Sequence, residues 1–154
     1  MTQIIFYSTA PLQVEKTLFA LLEKSLEKGN KSLLLFKDKE KCLSINEQLW
    51  TYKQNSFLPH ISEDDQIYDN IDVPVYLSTK NENPFKAELL FSIDGFLPDN
   101  IDHFERVIII IDVNDELLNE KYKNYYLDIN KNFEDIVFYK SDDNGKWIEK
   151  NFMR

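Results

Sequence analysis

Glycine is the first shortage: the chain has three, Gly29, Gly95 and Gly145, in 154 residues. A Walker loop or a dinucleotide fingerprint needs glycines gathered just after a strand, where the backbone must close on a phosphate. The turn after the first apolar segment, Tyr7-Ser8-Thr9-Ala10-Pro11, has none, so spacing excludes both. Cysteine occurs once, at Cys42, which excludes an internal disulfide and fits a reducing compartment. Histidine occurs twice, at His60 and His103, and neither has a cysteine or histidine partner at metal-ligand spacing. No cofactor or metal centre is expected. Cations are also in short supply, with 18 Lys and Arg against 27 Asp and Glu, a net charge of −9 and a pI near 4.7. Such a molecule repels phosphate backbones at long range, and no dense basic run offsets it, so direct nucleic-acid contact is not expected. The first residues lack a basic leader, and no apolar run approaches the roughly 20 residues that cross a bilayer. A soluble, cytoplasmic chain with no membrane contact is the expectation.

What remains is a core-forming composition, 43% apolar and 14% aromatic, suited to one domain over residues 1–154. Arg106–Asp112 carries five consecutive β-branched apolar residues, so both faces of this strand must be covered. That marks an interior strand of a sheet with helices on each side. Gln3–Tyr7 reads as a first buried strand, with Ser8 or Thr9 capping the next helix and Pro11 in its first turn. Val14, Leu18, Leu21, Leu22 and Leu26 recur at helical spacing, and Gly29 is placed to end that helix in a left-handed turn. Ser32–Phe36 completes a parallel βαβ unit. Asp38 caps a second helix with Cys42, Ile45 and Leu49 inward, which makes Cys42 core. Its lysines, Lys37, Lys39 and Lys41, alternate with Asp38, Glu40 and Glu47 and read as a solvated surface.

Leu49–His60 reads as a helix end passing into an aromatic loop with Trp50, Tyr52, Phe57 and Pro59. Pro74–Ser78 and Leu89–Ile93 are further strands, and Ile101–Glu105 is a turn or short helix. The last helix carries Leu118, Tyr122, Tyr125 and Ile129 on one stripe, followed by a strand at Ile136–Tyr139 and a polar tail. The fold class expected is α/β, a mostly parallel central sheet flanked by helices in three layers, of mononucleotide-binding type. One enzymatic arrangement survives this reading. Asp94 and Asp112 both end strands, and on neighbouring strands they could converge on Mg²⁺ for phosphohydrolase chemistry. The plainer account has Asp94 opening a turn with Gly95, and Asp112 and Asp115 complementing a helix N-terminus.

Several segments in order resemble one known family. They are Leu49-Trp-Thr-Tyr52 with Ser56-Phe-Leu-Pro-His60, Pro74–Thr79 with Asn83-Pro84, Leu90–Gly95, Phe104–Val107 with Asp112 and Asn114–Glu116, Tyr122-Lys123, and Asn144–Trp147. Together they are similar to the chi subunit of the bacterial DNA polymerase III holoenzyme, colinear over roughly residues 3 to 148. The resemblance implies a non-catalytic member of a DNA polymerase assembly. It would link the clamp loader, through a psi subunit or an equivalent component, to the C-terminal tail of the single-stranded DNA-binding protein. An adaptor role toward a repair helicase is an alternative. The resemblance places the psi-facing surface at Trp50, Phe57, Pro59 and His60. It places the tail-binding surface at Tyr122 and Lys123, with Lys121 and Tyr126 beside them. Asp115 and Asn119 stand where well-known members carry basic residues, so Lys131 is a further candidate for meeting an acidic tail.

Overall fold

The structure is a computed structural model that describes residues 2–51, 59–65, 73–141 and 146–150. Its centre is one sheet of eight strands. In chain order these are β1 (Gln3–Thr9), β2 (Ser32–Leu35), β3 (His60–Ser62), β4 (Val75–Ser78), β5 (Leu89–Ser92), β6 (Arg106–Asp112), β7 (Ile136–Ser141) and β8 (Trp147–Lys150). In space they run β3-β4-β2-β5-β6-β1-β7-β8, parallel throughout except for the final β7–β8 pair. The helices are α1 (Val14–Glu27), α2 (Lys39–Thr51) and α3 (Glu116–Ile129), with a 3-10 turn at Ile101–His103.

The continuous apolar run of β6 sits between β5 and β1, as its lack of a polar face requires. Its side chains alternate between two cores. Val107, Ile109 and Ile111 pack with Tyr122, Tyr125 and Ile129 of α3. Ile108 and Ile110 pack with Leu18, Phe19 and Leu22 of α1 and with Cys42, Ile45 and Leu49 of α2. The molecule is therefore the three-layer α/β fold expected, with α1 and α2 on one face and α3 on the other.

Local expectations fare unevenly. Gly29 does take a left-handed conformation, at φ +78°, and Asp38 does cap α2, accepting from the Glu40 amide at 3.1 Å. The start of α1 differs. Neither Ser8 nor Thr9 caps it, because β1 continues through Thr9 in register with Asp112. Pro11 lies in the intervening turn, and α1 begins only at Val14, behind Gln13, whose side chain makes no capping bond. Leu12 turns the chain at φ +64°, held there by its amide, which donates to Asp112 Oδ2 at 3.0 Å. His60 belongs to an edge strand rather than a loop, and part of the expected polar tail pairs as β8.

Cys42 is 1% exposed, and burial with the nearby Glu63 carboxylate pushes its thiol up to about 11. At pH 8 only about one molecule in a thousand would then carry the thiolate. A colorimetric thiol reagent is expected to leave the native protein untouched at that pH and to react promptly once guanidinium unfolds it. Fast native reaction at pH 8 would contradict this burial.

Candidate functional site

Open α/β sheets place ligands at the carboxyl edge where neighbouring strands send their connections opposite ways. That point lies here between β1, which leads to α1 on one face, and β6, which leads to α3 on the other. The chain has stitched it shut. Val113 N donates to Thr9 O at 3.0 Å, while Asp112 accepts from Leu12 N at 3.0 Å and from Asn114 N at 2.8 Å. One strand further, Asp94 accepts from Lys37 N at 2.9 and 3.0 Å and from Asp38 N at 2.9 Å. Amides that at such an edge can meet an anion are thus engaged by the protein's own carboxylates.

Asp94 and Asp112 face the same groove. Both line this groove, of about 510 Å³, with Glu15, Lys41 and Asp115, since β5 and β6 are neighbours. Lys41 is paired with Glu15. Asp115 caps α3 by accepting from Leu118 N at 3.1 Å, and Asn119 Nδ2 donates to the carbonyls of Asp112 and Asp115 at 2.8 and 2.7 Å. Among the described residues no group of three or more metal-ligating side chains is assembled. The plainer account holds for Asp112 and Asp115 at the start of α3, whereas Asp94 accepts from the amides ahead of α2 and leaves Gly95 N to Tyr122.

The α3 candidates separate. Tyr122 is fully buried and offers no surface to a ligand. Its hydroxyl accepts from Gly95 N at 2.7 Å and lies 2.9 Å from Ser92 Oγ, which itself donates to Phe96 O at 2.7 Å. The result is a relay that closes the loop after β5, and burial raises the phenol's pKa. Gly95 needs its freedom there: it sits at φ +95°, and a Cβ would meet Leu118 Cδ2 at 3.0 Å and Lys121 Nζ at 3.4 Å. Lys121 therefore lies over Gly95. Burial and the neighbouring Lys37 ammonium lower its pKa against the pull of Asp94. Lys123 points elsewhere, since two residues turn a helix through about 200°. It is exposed and shares a stripe with Asn119 and the half-buried Tyr126, whose ring meets Phe6 edge-on at 6.1 Å. The structure brings Lys123 and Tyr126 together and sets Lys121 apart.

At the far end of the sheet, Trp50 in the last turn of α2 is 57% exposed. Its ring lies 4.7 Å from that of His60, the first residue of β3, whose Nε2 is 3.2 Å from Asn46 O. Pro59 is half-buried beside them, and Phe57 lies outside the described residues. The family resemblance is what groups these residues in the sequence. The sequence reading missed Ser92 and Gly95 as partners of Tyr122, a link for which their Ser-Ile-Asp-Gly spacing was the available signal.

The model of the family described as "DNA polymerase III chi subunit, HolC" matches residues 1–132. The chain belongs to the DNA polymerase III chi subunit family. A relative from Rickettsia prowazekii (strain Madrid E), named "Probable DNA polymerase III subunit chi", is 30% identical over 138 residues, spanning 85% of this chain and 79% of that protein. Membership in the chi family makes this chain a DNA replication accessory subunit, a component kind of the polymerase III assembly. At the carboxyl edge of the sheet this chi-family chain engages the amides of Leu12, Lys37 and Asp38 with the carboxylates of Asp112 and Asp94. Among the described residues no helix is long and apolar enough to cross a membrane.

Proposed function

We propose that the chain is a non-catalytic adaptor that joins the clamp-loader complex, through psi or an equivalent component, to the C-terminal tail of the single-stranded DNA-binding protein. The observation that carries this reading is the exposed indole of Trp50 laid against His60. A large aromatic on a rigid helix end, backed by a ring and a proline, is the kind of anchor that protein interfaces use. The partner bound there is the clamp-loader component, and a repair helicase would compete for the same residues. The tail is met on the other face by Lys123 and Tyr126, with Lys121 at the flank and Tyr122 setting the helix position from below. A cation beside a partly open aromatic suits an acidic peptide that ends in an apolar residue.

The test is a titration of a fluorescent tail peptide from the organism's own single-stranded DNA-binding protein. Micromolar binding, weakened about tenfold (~1.4 kcal/mol) by Lys123→Ala, is expected. Absence of binding at low salt would remove the tail from this account. Nucleotide hydrolysis that disappears in Asp112→Ala with the fold intact would replace the adaptor by an enzyme.

A further inference from the structure

The net charge of −9 conceals a basic channel. Lys16, Ala20, Lys24 and Lys28 form an i, i+4 ladder along the exposed side of α1 and its C-cap. Two adjoining cavities, of about 450 and 220 Å³, run beside that ladder and share Leu21 and Lys24. The first is lined by Pro11, Lys16, Ala20 and Trp147, among others, and the second by Tyr7, Lys28 and Arg106. No residue lining either one is acidic. Glu15 lies on the far side of α1, and Glu23 and Glu27, though beside the ladder on the helical wheel, line neither cavity. None of Lys16, Lys24, Lys28 and Arg106 makes an ion pair among the described residues.

The fold explains the channel. Strands β7 and β8 extend the sheet beyond the reach of α1, leaving the strip beside that helix open. On it lie three aromatic rings in sequence: Tyr7 stacks on Tyr139 at 5.4 Å and meets Trp147 edge-on at 4.9 Å. Trp147 is 38% exposed. Glu149, the register partner of Tyr139 on the outermost strand, is a carboxylate on the same face as that ring.

We propose that this trough binds single-stranded nucleic acid, with phosphates along Lys16, Lys24, Lys28 and Arg106 and a base against Trp147. Sequence-independent grooves for single strands combine a cationic track with aromatic platforms in this way. An acidic peptide could use one lysine and the apolar pocket. It would not need a cation track from Lys16 to Lys28, about 18 Å of helical rise, beside cavities with no acidic lining residue. A repeating polyanion does. The contact lies on the sheet face opposite α3 and does not depend on the adaptor reading, so either can fail alone.

The experiment is fluorescence anisotropy of a labelled oligothymidylate of about 15 nucleotides with the full chain, in about 20 mM KCl. Saturable binding is expected, with a slope of log affinity against log salt of about −2 to −3, as release of three or four counterions from a single strand requires. The pair Lys16→Glu with Lys24→Glu should weaken it at least tenfold and Trp147→Ala several-fold. Glu149→Lys should tighten it and Lys123→Ala should leave it unchanged. Circular dichroism confirms that each variant folds, and Lys16→Gln with Lys24→Gln repeats the test without reversing charge. Three results would overturn the proposal: no saturable binding at low salt, binding indifferent to Lys16 and Lys24, or an acidic peptide that occupies the trough when the oligonucleotide does not.

Discussion

Tyr122→Phe is expected to destabilise the protein by about 2–4 kcal/mol, although it removes a single oxygen. That oxygen is the middle of the relay from Gly95 N to Ser92 Oγ, and every member is inside the molecule. Phenylalanine leaves a buried amide with no acceptor and a buried hydroxyl short of a partner, each costing roughly 1–3 kcal/mol. Water cannot substitute where the ring fills its site completely, and Tyr122 is 0% exposed. The neighbouring Tyr125→Phe provides the control. Its hydroxyl donates to Pro98 O at 2.6 Å, so the substitution orphans a carbonyl rather than an amide. Under-satisfied carbonyls are tolerated better than orphaned N–H groups, so a smaller loss, about 1 kcal/mol, is expected. Urea denaturation of both variants at neutral pH decides the matter. Equal losses, or a Tyr122→Phe value below that of Tyr125→Phe, would show that the relay is not what holds the loop after β5. Because Lys121 and Leu118 of α3 sit directly over Gly95 in this loop, a loosened relay should also disturb the flank of α3 without any change to Lys123.

The layers of the fold were legible in the residues because burial on two faces leaves a pattern that no solvent-facing segment can copy. Val107 to Ile111 could only be an inner strand, and the spacing of Leu18 and Leu22 could only be a helix lying on it. Strands β3 and β8 were not legible. His60-Ile61-Ser62 and Trp147-Ile148-Glu149-Lys150 are too short and too mixed in polarity to specify extended structure. They pair because β4 and β7 present an edge to them. Leu12 is a different failure: a branched residue at φ +64° contradicts its own preference, and the hydrogen bond its amide donates to the Asp112 carboxylate, 100 residues away, accounts for it. Long-range partners are what a local reading lacks.

The candidate site divides on the same line. That Asp94 and Asp112 follow apolar strands could be read from the two runs before them, but that those strands are neighbours could not, and it is their pairing that sets both acids along one groove. Their occupation was not legible either, because the donors come from the turns after β1 and β2. Tyr122 and Lys123 stand side by side in the chain and on different sides of the helix, one in the core and one in solvent. Adjacency in a motif therefore groups a residue that sets position with one that can touch a partner. The cations of the trough are the converse case. Residues 16, 24, 28 and 106 form no run in the sequence, and only the packing of α1 beside β1 and β6 gathers them.

If the chain is the proposed adaptor, Trp50→Ala is expected to weaken binding of the clamp-loader component by about 2–4 kcal/mol, roughly thirtyfold to a thousandfold, with little loss of fold stability. The asymmetry follows from where the indole's area lies. With 57% of the residue exposed, most of what alanine removes was never buried by folding. The same surface is what a partner would cover, and aromatic anchors carry a disproportionate share of interface energy. His60 behaves differently. It is buried, 8% exposed, and its ring nitrogen lies 3.2 Å from Asn46 O, so His60→Ala should lower both stability and affinity. Titration calorimetry with the purified partner, paired with thermal melts of each variant, separates the two roles. A Trp50→Ala protein that binds normally would move the interface off this end of the sheet. One that melts far below the parent would mean that the indole supports the junction of α2 and β3 rather than a partner. A repair helicase that lost affinity in step with the clamp-loader component would show the two competing for one anchor.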